Sequence, residues 1–228
     1  RDGAKDILEY QTDGYLPSTM VNFLSLNGWN PGTEQELFFE IDEIIEAFSL
    51  EKIQKSGGAF NEEKLNWMNK EHLHTLSEEE KIQYVQNALT ELNPDTAVKL
   101  ASVILERAHT KKEITAAAAE GEYDWVHTTP IVPMEMLQWK KDDAPKDALP
   151  RLQKVARLLE GANFESPDTI KEAIWDLAEE VGRGELLWPL RVALSGRERS
   201  PDPFTCAHVL GREETLLRIK NAIETLEN

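Results

Sequence analysis

Cysteine is almost absent from this chain of 228 residues. The single thiol, Cys206, excludes an intramolecular disulfide and a thiolate zinc cage, and the expected setting is a reducing compartment, the cytoplasm. Long apolar runs are missing too. Nothing approaches the roughly 18 residues that a membrane helix needs, and no charged-then-apolar leader opens the chain, so a soluble protein without a membrane partner is expected. The first residue is Arg1 instead of methionine, which reads as the start of a piece cut from something longer.

Basic charge is scarce, with 25 Lys plus Arg against 42 Asp plus Glu and a net charge of −17. Such a field repels phosphate and argues against loose, sequence-blind binding to nucleic acid. The deficit is uneven. Residues 151–228 carry 11 basic and 14 acidic side chains, a balance of −3 that leaves −14 for the first 150 positions. Between positions 182 and 199 the sign reverses, because Arg183, Arg191, Arg197 and Arg199 face only Glu185 and Glu198. A local basic patch can form there. The acidic run from Glu34 to Glu46 reads as a solvated helix face.

Catalytic signatures are also lacking. There is no GxxxxGK[ST] loop and no GxGxxG turn after a strand, and Gly57-Gly58 is only part of a loop. His72 and His74 stand two apart, on different sides of a helix, and form no HExxH pair, so a surface or capping role is expected for them. Cys206 and His208 read as structural residues, and no metal site is expected.

What is present is helix punctuation on a globular composition, 40% hydrophobic and 29% charged, with room for one to three domains. Pro17 opens a helix that Gly28 stops, and Thr33 with Glu36 caps a second that carries Leu37, Ile41, Ile44, Ile45 and Phe48. After the glycine-rich Lys55–Phe60 loop, Asn61 caps a helix with Leu65, Trp67 and Met68. Ser77 and Glu80 form a further capping box, Asn93-Pro94 breaks the pattern, and the helix after it continues through Ile104 to Arg107 before Thr110 starts afresh. Pro130, Pro133, Pro145 and Pro150 mark a connector with one short helix at 134–139. Helices follow over 152–159, from Ser166-Pro167 to a stop at Gly182, and from Glu213 to Leu226 after a break at Gly211. No convincing strand pattern and no internal repeat appear, so the chain is read as all-α.

Two stretches carry more. Gly14-Tyr-Leu-Pro17, leading to Asn22-Phe-Leu and Gly28-Trp29, and Lys55-Ser56, leading to Phe60 and Lys64-Leu-Asn-Trp-Met-Asn69, resemble the segment just past the catalytic domain of bacterial glutamyl-tRNA synthetases. Downstream, Leu187-Trp-Pro-Leu-Arg191 through Gly196, then Ser200-Pro-Asp-Pro-Phe204 and Val209 to Thr215, are similar to that family's helical anticodon-binding cage. The resemblance covers the whole chain, most weakly over 121–150. It implies a stem-contact region at 1–76 and two anticodon-binding helical subdomains at 77–126 and 127–228. It also implies that Arg1-Asp2-Gly3 follows the family's KMSKS-type loop. Neither that loop nor a HIGH-type signature is present, so these residues should bind glutamate tRNA, as a monomer, without activating glutamate. ATP and magnesium are implied only for a full-length parent.

The resemblance also assigns roles. Lys64 and Trp67 lie one helical turn apart on a helix that faces tRNA in the family, although Trp67 has core packing as its alternative. Glu106-Arg107-Ala-His-Thr110 matches a segment whose arginine reads the first anticodon base and, in some members, discriminates glutamate from glutamine tRNA. A guanidinium suits this because it offers paired donors and keeps its charge. An ordinary helix-end arginine is the other reading. Arg191 matches an arginine that reaches the anticodon loop. Ser200, Pro201, Asp202, Pro203 and Phe204 match a loop that meets splayed bases, with Phe204 open to a core role and Asp202 standing where the family commonly has glycine. The competing reading of the whole is an acidic helical protein-interaction module with no RNA partner.

Overall fold

The structure, a computed structural model, describes residues 5–54 and 59–228. The Arg1-Asp2-Gly3 opening and the Lys55-Ser56-Gly57-Gly58 part of the glycine-rich loop lie outside the described residues. Among the described residues there are eleven α-helices and no strand, as the all-α reading expects. A single antiparallel bridge joins Trp29 to Ile53. The chain divides into two compact units, Arg1–Glu120 and Gly121–Asn228.

The first unit opens with α1 (Ile7–Asp13), capped reciprocally by Asp6 and Glu9. Its apolar residues Ile7 and Leu8 are exposed, and only Tyr10 is buried, so no periodic stripe announces this helix in the sequence. It ends at Gly14, whose φ of +96° is left-handed and whose added Cβ would lie 2.3 Å from the Lys111 Cβ. Only glycine meets both demands. The Tyr84 hydroxyl donates to the Gly14 carbonyl at 2.6 Å, and burial pushes this phenol up to about 12, so it stays a donor. Helix α2 (Pro17–Leu26) follows with Pro17 in its first turn.

The expected second helix is shorter than its apolar spacing implies. Only α3 (Ile41–Ala47) forms, and it buries Ile44 while Ile41, Ile45 and Phe48 stay exposed. The cause is Asn22. Its fully buried amide accepts from the Phe38 N–H at 3.0 Å and donates to the Glu36 carbonyl at 3.1 Å, which claims the backbone that a helix from Thr33 would use. Thr33 instead accepts from the Gln35 N–H.

Asn61 caps α4 (Glu62–Thr75), and Ser77 with Glu80 opens α5 (Glu78–Ala88). Asn93 caps α6 (Pro94–Leu105), and Thr110 caps α7 (Lys111–Ala119). Arg107 therefore lies past the end of α6, in the turn before α7, and does not continue the helix as expected. The core beneath α2 and α4 gathers Tyr10, Tyr15, Met20, Phe23, Leu65 and Met68. His72 departs from its expected surface role: it is 2% exposed, with its ring nitrogens 3.1 Å from Ser18 Oγ and 3.2 Å from Asn22 Oδ1. Burial holds its imidazole below the ordinary range, with a weak opposing pull from Glu43.

In the second unit, the proline-rich connector holds three short 3₁₀ turns, Asp124–Val126, Met134–Leu137 and Pro145–Ala148, which bury Trp125, Leu137 and Ala148. Four helices pack with them: α8 (Leu149–Glu160), α9 (Pro167–Val181), α10 (Arg183–Ser195) and α11 (Pro203–Glu227). Gly211, at φ 76° and ψ 172°, breaks α11 where the break was expected. Arg218, 3% exposed, donates to the carbonyls of Trp125 at 2.8 Å and Leu194 at 2.6 Å and to Glu214 at 2.7 Å. Thr129 also donates to Glu214. Burial alone would raise the Glu214 carboxyl, but these two donors outweigh it and hold it low.

Candidate nucleic-acid interface

On the first unit, Asn61 fixes the start of α4 by accepting from the Lys64 N–H at 3.0 Å. The Lys64 ammonium sits 2.6 Å from Glu36, a half-exposed pair that a phosphate can replace at little cost. One turn on, Trp67 is 39% exposed, so its ring is on the surface and not in the core.

Further along α4, Asn69 and Lys70 reach the turn that carries Arg107. Asn69 is fully buried, accepts from the Leu16 N–H at 2.9 Å and donates to the His109 carbonyl at 2.5 Å. Lys70 donates to the Glu106 carbonyl at 2.8 Å. On the other flank, Glu113 accepts from the His109 N–H at 2.7 Å, and Ala108 is buried. Arg107 itself is exposed. A guanidinium is thus displayed on a turn whose neighbouring backbone groups are pinned from both sides. Asn69 was legible only as part of the Lys64–Asn69 motif. A buried amide in mid-helix is the signal that marks it, because such a group must find partners.

The remaining site residues belong to the second unit. Arg191 lies on α10 one turn after Trp188, its guanidinium carbon 5.1 Å from the indole centroid, and its Nε is buried without a hydrogen-bond partner among the described residues. Ser195 closes the end of α10 by donating to the Arg191 carbonyl and accepting from the Arg197 N–H. Arg183 lies over Trp175 and pairs with Glu179 at 2.9 Å, while Arg199 is exposed.

Within the Ser200–Phe204 loop, only Asp202 is exposed. Phe204 is 8% exposed and packs near Trp175, the core position that stood as its alternative. Ser200, Pro201 and Pro203 are buried as well. Asp202 is the N-cap of α11: one carboxylate oxygen accepts from the Phe204 and Thr205 N–H groups at 2.9 and 3.0 Å, and the other accepts from the Thr205 hydroxyl at 2.6 Å. That explains an aspartate where glycine was the expectation. Among the described residues, no cluster of His, Cys, Asp or Glu is placed to hold a metal ion, and no helix is long and apolar enough to cross a membrane.

Residues 64–223 match the family model described as anticodon binding domain. This chain belongs to that family. Residues 1–67 match the model for the catalytic domain of class I tRNA synthetases (E and Q), so a short piece of that domain runs into the segment that the sequence resemblance treats as stem-contact region. The anticodon-binding chain is 34% identical over 234 residues to a glutamate-tRNA ligase of Clostridium botulinum strain Okra, a match that covers 100% of this chain and 47% of the relative. A glutamate-tRNA ligase of Clostridium tetani is 32% identical over 236 residues. Among solved structures, a glutamate tRNA ligase from Elizabethkingia meningosepticum aligns with a TM-score of 0.76 at 32% identity, over 95% of this chain and 43% of that one. The synthetase from Elizabethkingia anophelis gives 0.75 at 30% identity. The chain spans about half the length of the curated relatives it matches.

Proposed function

We propose that this chain recognises glutamate tRNA as the anticodon-reading part of a glutamate-tRNA ligase. In the full-length enzyme, a catalytic domain using ATP and magnesium attaches glutamate to the tRNA, in the cytoplasm and as a monomer. Arg107 is the base reader, because its planar fork of donors matches the acceptor pairs of an unstacked base. Arg191 contacts the anticodon loop, with phosphate contact as its minimal role. Lys64 and Trp67 meet the ribose-phosphate strand nearer the stem, Lys64 exchanging Glu36 for phosphate. The Ser200-Pro201-Asp202-Pro203-Phe204 loop contributes through its backbone and through Asp202, since its other side chains are buried.

The observation that carries this reading is the match of residues 64–223 to the anticodon-binding family, supported by an exposed Arg107 on an anchored turn. No feature of the site favours a protein-interaction module. The test is binding of a glutamate-tRNA transcript to the chain at several salt concentrations. Affinity should fall as salt rises, and replacing the anticodon should weaken binding. Affinity that ignores both salt and anticodon would refute it.

A further inference from the structure

The segment between positions 121 and 150, where the resemblance is weakest, places a second aromatic-cation pair beside Arg191. Trp139 lies 5.6 Å from Trp188 between ring centroids, and the Lys140 ammonium lies 5.1 Å from the Trp139 centroid. With Arg191 5.1 Å from Trp188, the order Lys140, Trp139, Trp188, Arg191 makes a strip with a cation at each end and two indoles between.

The strip is built to hold its shape. Trp188 Nε1 donates to the Met136 carbonyl at 3.0 Å, which binds α10 to the 3₁₀ turn just before Trp139. Trp139 packs on Gly184 so closely that a Cβ there would lie 2.5 Å from the ring. The turn after Trp139 closes on Asp142, which accepts from the Trp139 N–H at 3.1 Å and from both terminal nitrogens of Arg151. The Arg151 and Asp142 side chains are 11% and 6% exposed. Asp142 is thus neutralised where it stands, and its charge does not oppose an anion at Lys140. Lys140 itself is exposed. Both indoles are half-buried, so it is their open edges that alternate with the cations along the strip, a spacing that suits the ring-and-phosphate alternation of a single nucleic-acid strand.

We infer that Trp139 and Lys140 extend the Arg191 site into a longer RNA-binding strip that engages the strand flanking the anticodon, with Lys140 on a backbone phosphate. This rests on the reading of the chain as a tRNA binder. It assigns Lys140 a sequence-independent grip, separate from base reading by Arg107.

The experiment measures affinity of the chain for the glutamate-tRNA transcript against salt, for Lys140→Ala, Lys140→Glu, Arg191→Ala and the exposed control Lys220→Ala. Loss of one phosphate contact should flatten the log-log salt dependence by about 0.7 in Lys140→Ala, and Lys140→Glu should weaken binding about tenfold. The ratio of affinities for native and replaced anticodons should not change in either Lys140 variant, and Lys220→Ala should behave as the unaltered chain. A Lys140→Cys variant carrying a photo-crosslinker, with Cys206 fully buried and out of reach of the reagent, should crosslink to the anticodon arm. Lys140 variants with unaltered slope and affinity, or crosslinks elsewhere, overturn the strip while leaving the proposed function in place if Arg191→Ala still weakens binding. Failure of the unaltered chain to bind the transcript overturns both.

Discussion

The side-chain nitrogen of Asn69 donates to the carbonyl oxygen of His109 at 2.5 Å, two residues beyond Arg107. A buried amide on one helix thereby pins the backbone of the turn that carries Arg107. Asn69→Ala strands the Leu16 N–H and the His109 carbonyl, and should cost about 2 kcal/mol by urea denaturation. It should also reduce discrimination between native and replaced anticodons. Unchanged discrimination would limit Asn69 to stability.

Arg107→Ala should remove about 1 to 3 kcal/mol of anticodon discrimination, and Arg107→Lys should restore affinity more than discrimination, since a point charge lacks the paired donors. Filter binding with native and replaced anticodons checks this. Equal recovery of both by lysine would make Arg107 a phosphate contact only.

Removing the guanidinium at 218 takes the donor from two carbonyls inside the second unit and leaves Glu214 with the Thr129 hydroxyl and no cation. Arg218→Ala should lose about 3 to 5 kcal/mol of stability by denaturation, well above the effect of an exposed arginine such as Arg199→Ala. A loss below about 1 kcal/mol would contradict the network described.

His72 supplies a pH dependence. Its folded-state pKa lies below the ordinary 6.5, so the unfolded chain takes up the proton first as acid is added. The His72 contribution is complete above about 6.5 and is lost as pH falls from there towards the folded value. Denaturation between pH 7.5 and 5.5 should show a steeper decline for the native chain than for His72→Gln. Parallel declines would remove His72 from the account.

Asp202→Ala should destabilise by about 1 kcal/mol through loss of the cap, whereas Asp202→Asn should retain most of it. Thermal melts of the two variants distinguish a capping carboxylate from one kept only for RNA.

Helix starts were legible at Asn61, Ser77, Asn93, Thr110 and Ser166, which all cap through local hydrogen bonds, but not at Asp6 or Asp202, which cap α1 and α11 without an apolar stripe to announce them. Local spacing failed where a distant group intervened. Asn22 takes the backbone of Glu36 and Phe38 out of the helix that Thr33 seemed to begin, and nothing within that window signals it. His72 was misread for the same reason, since its partners Ser18 and Asn22 lie some fifty residues upstream. Prolines interrupt the periodicity of the 125–150 segment, so it reads as a connector with one short helix, yet Trp125 and Leu137 are buried and its turns pack on helices that follow much later. In the candidate site, residue types and motif order nominated Arg107 and Arg191, while the supports of Arg107 and the aromatic row beside Arg191 depend on contacts across long sequence separations.

Arg218 closes on the carbonyl of Trp125 across 93 residues. During synthesis, therefore, the opening turns of the second unit cannot reach their final arrangement until residue 218 has left the ribosome. The first unit has no need to wait for it. Maturation is staggered along the chain, with the surface around Arg191 completed later than the turn that carries Arg107.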